Sequence, residues 1–143
     1  MRAEPIAYPM QRSDGRCSVE FKRRAGGTVL GRLHQSGCCK ARFSAPNEAI
    51  LINTAGGMAS GDHVMWTASV DDHARAVITT QACERIYRSL GDGPSIVETR
   101  LTVKDRAALF WLPQETILFD DSDFRRTSLY GPSPSCACRL RIL

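Results

Sequence analysis

From Cys17 the chain alternates apolar and polar residues: Cys17, Val19 and Phe21 on one side, Ser18, Glu20 and Lys22 on the other. A period of two puts successive side chains on opposite faces of a strand. Gly26-Gly27 reads as a hairpin connection, and Thr28 to Gln35 as a second strand carrying Leu30 and Leu33. Gly37-Cys38-Cys39 interrupts the pattern, and Ala45-Pro46-Asn47 turns the chain into Ile50-Leu51-Ile52. Val64, Trp66, Ala68 and Val70 alternate cleanly up to the turn Asp71-Asp72-His73, and Ala74 to Thr80 is a further apolar, β-branched run. The clearest strand pattern sets Val97, Thr99, Leu101 and Val103 against Glu98, Arg100 and Thr102. After the Lys104-Asp105-Arg106 turn, Ala107 to Leu112 is apolar and Pro113 ends it. Thr116 to Phe119 is short, and Asp120-Asp121-Ser122-Asp123 stops it. Gln81 to Leu90 fits either a continued strand or a short helical turn before Gly91-Asp92-Gly93-Pro94.

Strand centres at intervals of about 8–12 residues, with turn residues between, predict an all-β fold, layered or barrel-like. No stretch carries a helical period over a useful length. The two ends differ from the rest. Residues 1–15 are polar, with Pro5, Pro9 and Gly15, and read as a flexible leader. Thr127 to Leu143 loses the alternation and gains Pro132, Pro134, Cys136 and Cys138. The pattern predicts a β domain over 16–126 and an irregular tail over 127–143, as in a chain cut short or shifted in reading frame.

A chain of 143 residues accommodates one domain with a real core. Its 43% apolar and 24% charged content is that of an ordinary globular protein. The net charge of +4 is mild. Lys22-Arg23-Arg24 and Arg125-Arg126 are its basic clusters, and neither carries the interleaved aromatics of a nucleic-acid footprint. No apolar run approaches the roughly 18 residues of a membrane helix, and Met1-Arg2-Ala3-Glu4-Pro5 lacks a signal peptide's apolar segment. A cytoplasmic, reducing location is expected, in which the six cysteines are free thiols or soft-metal ligands.

The chemistry concentrates around Leu51 to Asp62, where an apolar run meets Asn53 and then Gly56, Gly57, Gly61 and Asp62. Glycine permits positive φ and close approach of other atoms, so the segment is a bend between strands or a place where a ligand comes close. Its spacing matches neither a P-loop nor a dinucleotide fingerprint, and the run from His63 to Val70 has a strand's period where those motifs need a helix. His34, His63, His73 and the cysteines show no Cys-x-x-Cys, His-Glu-x-x-His or zinc-finger spacing. Cys136 and Cys138 lie in the irregular tail, and adjacent Cys38 and Cys39 on a strand point apart. A preformed metal site is not expected, although a transient one would leave no spacing signature. Ser60 lacks a nucleophile elbow and Cys83 an assigned base. Asp62, Glu84, Glu115 and Asp120 stand beside strand ends and could converge.

Four collinear segments resemble the urease accessory protein family UreD, called UreH in some organisms. They are Asn53-Thr54-Ala55-Gly56-Gly57-Met58 with Gly61-Asp62; Thr79-Thr80-Gln81-Ala82 with Tyr87-Arg88-Ser89; Trp111-Leu112-Pro113-Gln114-Glu115-Thr116; and Ile117-Leu118-Phe119-Asp120. Gly31 to Gly37 fits the family's N-terminal segment as well. The resemblance implies many short strands stacked in a two-layer, β-helix-like arrangement with little helix. It implies no enzymatic activity, but a chaperone role in GTP-dependent assembly of the urease nickel metallocentre. The partners implied are UreF, the GTPase UreG and apo-urease, with UreE as a nickel source, and neither nucleic acid nor membrane. No tightly bound cofactor is implied; nickel would pass through an internal polar passage. Asp62 and Glu84 would line that path, carboxylate oxygen being a weak transient ligand. The chain departs from the family in its length, in Asp121 where Gly is usual, and in Ala59-Ser60 before Gly61-Asp62. Without the resemblance, a β-rich hydrolase or carbohydrate-binding domain remains the alternative.

Overall fold

A computed structural model describes residues 11–132 and the backbone of residues 139–142. The strands are β1 (Asp14–Arg24), β2 (Gly27–Gly37), β3 (Cys39–Ala45), β4 (Glu48–Asn53), β5 (His63–Val70) and β6 (Arg75–Thr80). They continue as β7 (Glu84–Ile86), β8 (Ser95–Val103), β9 (Ala108–Leu112), β10 (Thr116–Leu118), β11 (Phe124–Pro132) and β12 (Arg139–Ile142). Among the described residues there is no helix, and so none long and apolar enough to cross a membrane. The fold is mainly β, as the alternation predicts.

Two five-stranded sheets, ordered β11-β8-β5-β1-β2 and β12-β9-β6-β4-β3, form the two layers, and β10-β7 is a short third wall. Two antiparallel hairpins, β1-β2 and β3-β4, open the chain. Every later pairing is parallel. From β5 onward each circuit visits the first sheet, the second and the short wall before returning to lie beside its predecessor. Strands wound this way stack into a β-helix-like pile, in agreement with the architecture that the resemblance implies.

Register turns sequence alternation into columns of stacked side chains. In the first sheet Gly15, Val64, Val97 and Arg126 form one column; Cys17, Trp66, Thr99 and Ser128 form the next; Val19, Ala68, Leu101 and Tyr130 the third. Ala49, Ile78 and Trp111 stack in the second sheet. Members of these columns up to β9 that carry side chains are buried, and the core they make lies between the layers. Each fully buried Val, Leu or Phe contributes about 1.5–3 kcal/mol, so the columns carry much of the stability.

Two boundaries differ from the sequence expectation. The sheet does not stop at Arg126: β11 runs to Pro132 in register with β8, and β12 adds a parallel strand beside β9. Along β11 the alternation is lost because Arg126 and Ser128 hold column positions while Leu129 is exposed, yet backbone pairing does not depend on side-chain polarity. Residues 133–138 and 143 of that tail lie outside the described residues. At the other end, Asp14 and Gly15 already belong to β1, anchored by pairing with His63 and Val64. Residues 1–10 of the expected leader lie outside the described residues.

Candidate functional site

At the corner where the second sheet hands over to the short wall, successive circuits bring Asn53, Gln81 and Gln114 around one space. Backbone and side-chain bonds tie this corner together. Gln81 N donates to Leu51 O at 2.9 Å, Gln114 N donates to Thr80 Oγ1 at 2.9 Å, and Gln114 Nε2 donates to Thr79 Oγ1 at 3.2 Å. Thr79 Oγ1 in turn donates to Leu112 O at 2.7 Å. The Oδ1 of Asn53 accepts Ala55 N at 2.9 Å, which closes the first turn locally. Segments far apart in sequence therefore converge because the pile repeats, not because they are near neighbours.

Inside this corner lies a cavity of about 120 Å³. The three corner amides line it together with Thr80, Pro113 and the indoles of Trp66 and Trp111. It opens where the inward columns change character: Thr99 follows Trp66, and on β11 Arg126, Ser128 and Tyr130 occupy positions that earlier strands give to apolar or small residues. The lining is mixed, with Leu51, Val97, Pro113 and the two indoles beside the amides, hydroxyls, Glu84 and Arg126, and a space of this size has room for water.

Glu84 lines the cavity from β7. Its Oε2 accepts Thr116 Oγ1 at 3.3 Å and also the guanidinium of Arg126. The same Arg126 Nη2 donates to Thr116 Oγ1 at 3.1 Å, and the guanidinium lies 5.1 Å from the centroid of the Phe124 ring. The side chains are 20% and 39% exposed for Glu84 and Arg126. Partial solvation keeps such a pair weak, about 1 kcal/mol or less, so it can be exchanged. Arg126 was not legible as a cavity residue: the Arg125-Arg126 cluster looks like a solvated strand end until the β8 register sets it over Val97.

Asp62 is placed elsewhere. It is buried but does not line the cavity; Oδ1 accepts Ser13 N at 2.7 Å and Oδ2 accepts Ala59 N at 2.8 Å. Nor do the other carboxylates converge with Glu84 through side chains, although Glu115 O accepts Glu84 N at 3.0 Å. Ser60 Oγ donates to Ser89 Oγ at 3.1 Å and accepts Leu90 N at 2.9 Å, a turn role. Gly57 makes room for Tyr87, since a Cβ there would sit 2.4 Å from the ring. Tyr87 packs on Phe119 with centroids 5.4 Å apart, Gly56 and Gly61 take φ of 75° and 80°, and Arg88 lies 3.5 Å from Asp121. Asp121 itself has φ 59°, a left-handed conformation that Asp tolerates better than most residues. Cys38 touches Cys39; burial pushes both of these thiols up, and Cys17 with them. The histidines are dispersed, His34 on β2, His63 opening β5 and His73 in the turn after it. Among the described residues no group of three metal-ligating side chains forms.

Three of the segments the resemblance rests on contribute residues to this corner: Asn53, Thr80 with Gln81, and Trp111 with Pro113 and Gln114. A family model described as UreD urease accessory protein matches residues 13–130. The chain belongs to the UreD family. A urease accessory protein UreD of Chelativorans sp. (strain BNC1) is 50% identical over 123 residues, covering 83% of this chain and 44% of that relative. One from Brucella suis (strain ATCC 23445 / NCTC 10510) is 48% identical over 125 residues, with 85% and 44% covered. UreD 1 of Brucella ovis is 51% identical over 116 residues, with 78% and 40% covered. The chain thus spans less than half the length of these curated UreD relatives. The UreD match also extends beyond Arg126, in agreement with the course of β11.

Proposed function

We propose that this UreD chain acts in urease maturation, as a non-enzymatic chaperone through which nickel reaches apo-urease. It works with UreF and the GTPase UreG, in GTP-dependent assembly of the nickel metallocentre, and with UreE as a nickel source. The observation that carries the proposal is family membership across residues 13–130, with relatives about half identical that are named urease accessory proteins. The cavity supports the passage role through Glu84 in its wall, which offers an oxygen ligand of the kind that holds a divalent cation briefly and releases it. Nickel is cargo here and not a resident cofactor. Asp62, with both oxygens bonded to backbone, secures the wall beside that route. A cytoplasmic site of action fits the role.

The test is complementation in cells that carry a urease operon of one relative without its UreD. Nickel content of urease and copurification of UreF are measured together. The chain restores both, and Glu84→Lys lowers nickel content while the UreF complex is recovered at the same yield. Failure to copurify UreF or to raise urease nickel would discard the proposal. Loss of complex and nickel in step for Glu84→Lys would discard the passage alone.

A further inference from the structure

We propose that Arg126 is a latch on the cavity: its guanidinium holds the Glu84 carboxylate and competes with any divalent cation for it. The inference deepens the passage reading and rests on it. Arg126 occupies the fourth position of the column Gly15, Val64, Val97, so the β11 backbone sets it at the exposed rim of the cavity on the side that faces Glu84. Three contacts keep it there: the Glu84 carboxylate, Thr116 Oγ1 at 3.1 Å and the face of Phe124 at 5.1 Å. Thr116 also donates to Glu84 at 3.3 Å, so hydroxyl, guanidinium and carboxylate form a closed triangle at the cavity wall. While the triangle stands, the negative charge of Glu84 is neutralised and Oε2 is occupied. A cation that takes Oε2 displaces the guanidinium, which at 39% exposure has solvent into which it can swing, and one that approaches through Oε1 still meets a carboxylate whose charge Arg126 offsets. The same neutralisation stops Glu84 from retaining a cation: when the guanidinium returns, the ion is released.

The experiment uses the full chain and Mn2+, a probe that favours carboxylate oxygen over the six thiols. Binding is followed by electron paramagnetic resonance of free Mn2+ in wild type, R126Q, R126K, T116V, E84Q and E84Q/R126Q. Thermal unfolding of each variant checks that it is folded. R126Q should bind Mn2+ about tenfold more tightly, the scale set by one charge-assisted hydrogen bond. R126K, which keeps a cation at the wall, stays near wild type, and T116V falls between. E84Q/R126Q loses the whole gain. If E84Q weakens binding while R126Q and T116V leave it unchanged, Glu84 is a cation ligand without a latch, and this inference alone falls. Should E84Q have no effect in either background, the passage reading fails and the latch with it.

Discussion

Both carboxylate oxygens of Asp62 accept backbone amides, from Ser13 ahead of β1 and from Ala59 within the glycine turn. A residue type suited to metal chemistry is here used as a clamp between two turns. Asp62→Asn replaces one acceptor oxygen by a donor and strands one buried amide, at a cost of about 1–3 kcal/mol. Urea unfolding reads that loss, with Asp62→Ala costing more and Mn2+ binding at the cavity unchanged in Asp62→Asn. An unchanged unfolding midpoint for Asp62→Asn would dismiss the clamp. Cys17 illustrates burial acting on a titration. Desolvation pushes its thiol from 9.0 to about 11, with Lys40 pulling weakly the other way. The folded state therefore keeps a proton that the unfolded chain has given up between those two pH values. Stability is full below the unfolded value and falls as pH rises through this window, by up to about 1.4 kcal/mol per pH unit. Buried Cys39 acts in the same direction. Cys17→Ala should therefore flatten, without abolishing, the alkaline slope measured by urea unfolding from pH 8 to 11. An equal slope in wild type and variant would refute the assignment to Cys17.

At the scale of elements, the sequence displays its strands wherever burial alternates with large residues. The pattern Val64, Trp66, Ala68, Val70 and its partner Val97, Thr99, Leu101, Val103 are buried inward positions of β5 and β8. β3 alternates too, but with Cys39 and Ala41 as its buried residues, small side chains that leave little amplitude to detect. β7 has three residues, too few for any period, and is held as a strand by pairing with β10 and by the Met58–Ile86 bridge. The bend that separates β2 from β3 depends on Gly37, with φ 59° and a Cβ position only 1.8 Å from Asp14 O. Glycine there was visible in the sequence, whereas the carbonyl it makes room for was not. The same limit applies to the site. Asn53, Thr80, Gln81, Trp111 and Gln114 could be picked out from motifs, and Glu84 from its neighbourhood to them. Arg126 could not, because its place at the cavity rim is fixed by register with β8 and not by any local pattern.

At the scale of the whole molecule, a pile of parallel strands has no single centre; each rung is stabilised chiefly by the rungs above and below it. The interior is graded along that axis. Cys17, Trp66, Thr99 and Ser128 run from buried thiol and indole to a half-buried hydroxyl, and Val19, Ala68, Leu101 and Tyr130 end on a half-exposed ring. β5 lies between β1 and β8, and β6 between β4 and β9, so their amides are bonded on both sides and covered by apolar columns. Among the described residues β11 pairs only with β8 and presents Arg126, Ser128 and Tyr130 to the cavity. Local opening costs least where few apolar contacts must be broken. Native-state hydrogen exchange should therefore be slowest in β5 and β6, intermediate in β8 and β9, and markedly faster in β11. The grading has a functional consequence: a wall that opens on its own lets the Arg126 guanidinium leave Glu84 without disturbing the core columns. Exchange of β11 amides at the rate of β5 would mean that the pile opens as one unit. A latch would then have to move against the full stability of the fold, and the graded picture would be discarded.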